Sequence, residues 1–106
     1  MFARTVSLHL KPNSVAEFTQ IIEKDIIPLL RQQQGFQDEI AFVVPDGTEA
    51  VIVSVWNHKE QVEAYHHGTY PTVLKALANV IEGTPQVHTY EVSNSTFHKI
   101  VPRVAA

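Results

Sequence analysis

The sequence predicts an α+β fold of the ferredoxin-like kind, ordered β-α-β-β-α-α-β, with a four-stranded antiparallel sheet carrying helices on one face. Three observations predict it. Four segments carry strand signals, either period-two alternation or a short valine- and isoleucine-rich run, and the segments between them repeat their apolar residues at three- and four-residue steps. Pro-Asp-Gly joins the second and third strand segments as a tight hairpin. Helical segments fall between the first and second strands and between the third and fourth, an order that a single sheet covered on one side accommodates.

The first strand is "FARTVSLHL", with Phe2, Val6, Leu8 and Leu10 on one side and Ala3, Thr5, Ser7 and His9 on the other. Arg4 falls on the apolar side, where it either snorkels at the strand end or anchors an anionic group, with Glu91 of the last strand as a candidate partner. Lys11-Pro12-Asn13-Ser14 ends this strand, and Asn13 or Ser14 caps a helix whose apolar positions are Val15, Phe18, Ile22, Ile26 and Leu29. Pro28 interrupts that helix, because it lacks an N–H and crowds the carbonyl of Lys24, and Gly35 stops it.

"GFQDEIAFVV" and "EAVIVSVW" form the hairpin, with Ala41, Val43, Val51, Val53 and Val55 expected on the face away from the helices. Asn57 and Glu60 have the spacing of a capping box for a short helix that Gly68 ends. Thr69 caps the next helix, Pro71 sits in its first turn, and its apolar face runs through Tyr70, Val73, Leu74, Leu77, Val80 and Ile81 to a stop at Gly83 and Pro85. "QVHTYEVS" is the last strand.

A chain of 106 residues supports one core, so the domain is read as residues 1–95 and the C-terminal tail as 96–106. The formal charge of −3 and the lack of any Lys/Arg run exclude a nucleic-acid surface. No apolar run is long enough to span a bilayer, and the alternating first residues do not resemble a signal peptide, so a cytoplasmic location and no membrane partner are expected. With no cysteine, thiolate nucleophiles and thiolate metal sites are excluded. Charged residues make up 18%, below the usual figure of about a quarter. The valine-rich face left open by the helices then predicts a homodimer formed sheet to sheet, and Phe97, Ile100 and Val101 of the tail also call for cover, which reaching across to the partner subunit would give.

"GF" opening the second strand, "VSVW" ending the third, and "NHKEQVEAYHHGTYPTVLKAL" as paired helices resemble the antibiotic biosynthesis monooxygenase-like family of dimeric α+β barrels. The resemblance covers nearly the whole chain. It implies a dimer and a pocket between sheet and helices, in a family that includes oxygenases working without metal or flavin, haem-degrading enzymes and members of no known activity. Where the phenol-oxidising branch has Asn four residues before the strand-end Trp and Tyr six after it, this chain has Ile52 and Val62 around Trp56. Where the haem-degrading branch has a first-strand Asn, an aromatic and an iron-ligating His, it has Val6, Tyr65 and Lys75. Neither residue set is complete, and haem degradation ranks behind the other readings.

The candidate pocket residues are Trp56, Tyr65, Tyr70, Val6, Ile52 and Phe42, with His66 as a candidate base. No cofactor or metal is expected. His66 and His67 diverge by about a hundred degrees on a helix, and no His-x-x-x-His occurs. His9 and His88 are expected on neighbouring strands, with His58 and His98 in solvent. Two functions remain: a cofactor-independent monooxygenase acting on an aromatic or other hydrophobic small molecule, and a non-catalytic ligand-binding or structural dimer. The polarity of the pocket separates them.

Overall fold

Strand β1 (Phe2–Leu10) lies inside a four-stranded sheet of order β2-β3-β1-β4, in a computed structural model that describes residues 1–101. Every neighbouring pair is antiparallel. This is the predicted ferredoxin-like arrangement. Arg4, Val6, Leu8 and Leu10 are buried while Ser7 and His9 are exposed, so the period-two reading of β1 holds along the strand.

The first helical run comprises α1 (Val15–Ile21), a π-helical turn (Ile22–Ile26) and α2 (Ile27–Arg31). The wider turn is how the chain accommodates Pro28, which then occupies the first turn of α2, where its missing N–H is harmless. Phe18, Ile22, Ile26 and Leu30 remain on one buried face, each worth about 1.5–3 kcal/mol of transfer free energy. Gly35, with φ of 81°, ends the connection to β2 in the left-handed region.

β2 (Phe36–Val43) and β3 (Glu49–Trp56) form the expected hairpin, but β2 presents the other face. Phe36 stands opposite Trp56, the register shifts before Asp38, and from there Ala41 meets Ile52 while Phe42 meets Val51. The irregularity at Gln37 acts as a β-bulge that inverts the alternation. Ala41 and Val43 therefore share the side of buried Ile52 and Ala50. Ile40 and Phe42, each 53% exposed, join Val51, Val53 and Val55 on the face away from the helices.

Two boundaries also differ from expectation. Helix α3 (Lys59–Gly68) is capped one residue later than predicted: His58 is the N-cap, and its N–H donates to Oε1 of Gln61. Helix α4 (Tyr70–Leu77) stops before Val80, and β4 (Ile81–Glu91) begins where helix was expected. Fully buried Val80 accepts a hydrogen bond from the Lys11 N–H, which turns the chain so that Ile81 pairs with Leu10. Gly83, with φ of 71°, thus lies inside β4, where the pairing with β1 shifts register between Ser7 and His9.

The core fills the space between the sheet and the single helical layer. Opposite it, the outer face carries Ile40, Phe42 and Tyr90, all more than half exposed. Beyond β4 the tail brings His98, expected in solvent, to a half-buried position where its Nε2 contacts the Asp38 carboxylate, while Phe97 stays 91% exposed. Residues 102–106 of the predicted tail lie outside the described residues. Among the described residues, no helix is long and apolar enough to cross a membrane.

Candidate functional site

Between the sheet and helices α3 and α4 lies an enclosed space of about 20 Å³, bounded by Arg4 and Val6 of β1, Ile52 and Ser54 of β3, Tyr65 of α3 and Tyr70 of α4. That is room for about one water molecule. Leu8, Ile26, Leu30, Val73, Leu74 and Leu77 complete its apolar side.

Two of its polar residues, Arg4 and Ser54, belong to one row across the sheet. Glu39, Ser54, Arg4 and Thr89 stand opposite one another on four successive strands. Ser54 Oγ accepts a hydrogen bond of 2.9 Å from Nε1 of Trp56. Arg4 is only 2% exposed, yet its Nε and Nη2 have no hydrogen-bond partner, and no carboxylate of the described residues pairs with it. The expected partner position, Glu91, stands opposite Phe2 in the register. The guanidinium carbon lies instead 4.3 Å from the centroid of the Tyr70 ring and 5.5 Å from that of Tyr65, in cation–π contact.

Burial dominates the electrostatics. It lowers the Arg4 pKa, with the nearby tyrosines acting in the opposite sense. Burial pushes Tyr65 up to about 12 and raises Tyr70 as well, Arg4 opposing both, so both phenols are neutral donors at pH 7. The Tyr70 hydroxyl is itself buried without a partner. Burial also lowers the His66 pKa, helped by the charges of Arg4 and His67, which leaves a neutral imidazole at pH 7. Glu39 is raised by burial, and its Oε2 has no partner.

Val6, Ile52, Tyr65 and Tyr70 therefore meet around one space, as their positions in the sequence suggested. Trp56 is fully buried beside it, its ring 5.0 Å from Tyr65 and edge-on to Phe36 at 5.5 Å, so it supports the wall and does not line the space. His66 does not line the space; it stacks on Tyr70 at 5.5 Å and 23°, with Nδ1 buried and unpaired. Phe42 is not part of the site, because the bulge in β2 turns it to the opposite face of the sheet. Lys75 is exposed and takes no part either.

His9 and His88 are not cross-strand partners: His88 pairs with Thr5 and His9 with Glu82. Among the described residues, no three His, Asp or Glu side chains gather as a metal site. The alternation of β1 was signal enough to find Arg4, and that of β3 to find Ser54. Glu39 could not be placed in their row without knowing of the bulge.

No family model matches the sequence, and no curated protein matches it. Solved structures do. A monooxygenase from the gene ActVA-Orf6 of Streptomyces coelicolor, in complex with nanaomycin D, superposes with a TM-score of 0.74 at 16% identity, over 96% of this chain and 92% of that one. SnoaB, a cofactor-independent oxygenase from Streptomyces nogalater, gives 0.71 at 14% identity over 90% and 95%. A proposed antibiotic biosynthesis monooxygenase from Bordetella bronchiseptica gives 0.74 at 16% over 88% and 97%. The chain has the fold of the antibiotic biosynthesis monooxygenase-like proteins.

Proposed function

We propose that the protein is a homodimer that binds an aromatic or other hydrophobic small molecule between its sheet and helices α3 and α4, and oxidises it with O₂ without a bound cofactor. The observation that carries this reading is the enclosed space walled by Tyr65, Tyr70, Val6 and Ile52 with a cation at its edge. Proteins of the same fold support it: the S. nogalater protein is a cofactor-independent oxygenase, and the S. coelicolor monooxygenase was solved with nanaomycin D.

In such a reaction an activated CH₂ group flanked by an electron-rich ring loses a proton. The carbanion passes one electron to O₂, and the radical pair joins through a new C–O bond to give a hydroperoxide. Loss of water leaves a ketone, so that CH₂ and O₂ become C=O and H₂O. The chain's contribution is to hold the substrate out of water, to accept the proton at neutral His66, and to face the developing negative charge with Arg4 and the tyrosine hydroxyls. His66 stacks on Tyr70 and does not line the space, so proton transfer to it requires the Tyr70 ring to move.

The small size of the space favours a second reading, a structural dimer without chemistry. Oxygen uptake separates the two. An anthrone presented to the pure protein should be converted with one O₂ consumed per ketone formed, at a rate well above that without protein and unchanged by a chelator. Uptake no faster than in buffer, across a panel of such phenols, would leave the structural dimer as the better account.

A further inference from the structure

We propose that the site selects an anion, specifically a carboxylate carried on an aromatic ring, and that Arg4 is the residue that recognises it. This rests on the reading above that the space is a small-molecule site, and it goes beyond that reading in naming the ligand's charge. Arg4 is 2% exposed, with its Nε and Nη2 donors unmatched. These two N–H groups lie on the same edge of the guanidinium and point in parallel, the geometry that the two oxygens of one carboxylate satisfy. An orphaned pair of charged donors in a buried position is costly, and a site completed by its ligand removes that cost.

The tyrosines do not remove it. Their rings lie under the guanidinium at 4.3 and 5.5 Å, which attracts the charge, and the Tyr70 hydroxyl lies near enough to favour the cation, but neither gives Nε or Nη2 an acceptor. In the row of polar residues, Ser54 stands directly opposite Arg4, and its hydroxyl already accepts the Trp56 indole. Glu39 is two strands away and its pKa is raised by burial alone, with no contribution from Arg4. Among the described residues, the site thus holds one fixed cation with no carboxylate paired to it. The carboxylate would take the water-sized space against Arg4. The ring attached to it would lie along Val6 and Ile52 once Tyr70, on which His66 stacks, swings away.

Isothermal titration of the full chain with 2-naphthoate and with 2-naphthamide, which has the same shape and no charge, tests this. The wild type is expected to bind the carboxylate at least roughly tenfold more tightly than the amide. Arg4→Met should abolish the difference by weakening naphthoate alone. Arg4→Lys, which keeps the charge but not the paired donors, should fall between. Thermal midpoints supply a second readout: Arg4→Met without ligand should be at least as stable as wild type, and naphthoate should stabilise only the proteins that keep the cation. Equal binding of the two compounds by the wild type would overturn this inference and leave the hydrophobic site standing. Failure of both to bind or stabilise would overturn the site and the inference together. Should Arg4→Met not fold, the wild-type comparison and Arg4→Lys still decide the matter.

Discussion

Tyr65 shows what burial beside a cation does to a single group. It is 5% exposed, and desolvation outweighs the attraction of Arg4, so its pKa is pushed up to about 12. The folded chain holds the proton more tightly than the unfolded chain. Nothing is lost below pH 10, where both states are protonated, but stability falls as pH rises from 10 through about 12, by about 3 kcal/mol once the folded-state pKa is passed. An alkaline titration followed by phenolate absorbance should therefore show Tyr65 ionising late and together with unfolding, and Tyr65→Phe should remove that step. Ionisation of Tyr65 near pH 10 in a chain that stays folded would contradict the burial argument. At this scale the sequence was informative where alternation was regular: Arg4 was visible as a charge in an apolar register. Trp56, by contrast, was read as a pocket wall because aromatics at strand ends serve either role, and only its complete burial and its bond to Ser54 show that it supports the wall from behind.

Elements met expectation where a side-chain period ran unbroken and departed from it where one residue reset the period. Gln37 did so in β2, moving Phe42 off the site. Val80 did so after α4, where an apolar residue that fits a helical stripe turned out to anchor the start of β4. Neither change leaves a mark in composition, since a bulge inserts an ordinary residue and a buried valine suits helix and strand alike. Gly35 is the opposite case, a residue whose type was required. Its φ is 81°, a Cβ there would lie 1.7 Å from Oε1 of Gln61, and that oxygen accepts the N–H of His58 at the start of α3. Gly35→Ala is expected to destabilise the fold by about 2 kcal/mol, combining the left-handed backbone strain with loss of the helix cap. Urea denaturation gives the value. Gln61→Ala should forfeit the cap alone, and a loss equal to that of Gly35→Ala would mean that backbone strain contributes nothing.

For the molecule as a whole, the open face of the sheet is the feature that a single chain leaves uncovered. The chain exposes 7103 Å², against about 6,000 Å² expected for a compact monomer of its mass. Ile40 and Phe42 of β2 and Tyr90 of β4 stand on that face at 53%, 53% and 55% exposure, with half-buried Val51, Val53 and Val55 between β2 and β1. Such an apolar surface on a twisted antiparallel sheet is well matched by a second copy of itself about a two-fold axis, and stable interfaces of this kind bury about 1,200–2,000 Å² in total. Phe97, 91% exposed on the tail beside the same face, would gain cover from the same partner. Light scattering after size exclusion should give twice the mass of the 11.9 kDa chain at micromolar concentration. Phe42→Glu combined with Ile40→Glu should give a folded monomer, because both side chains point away from the core and the charges oppose only the contact between sheets. A wild type that scatters as a monomer would defeat the dimer. A double variant that stays dimeric would place the interface somewhere other than this face.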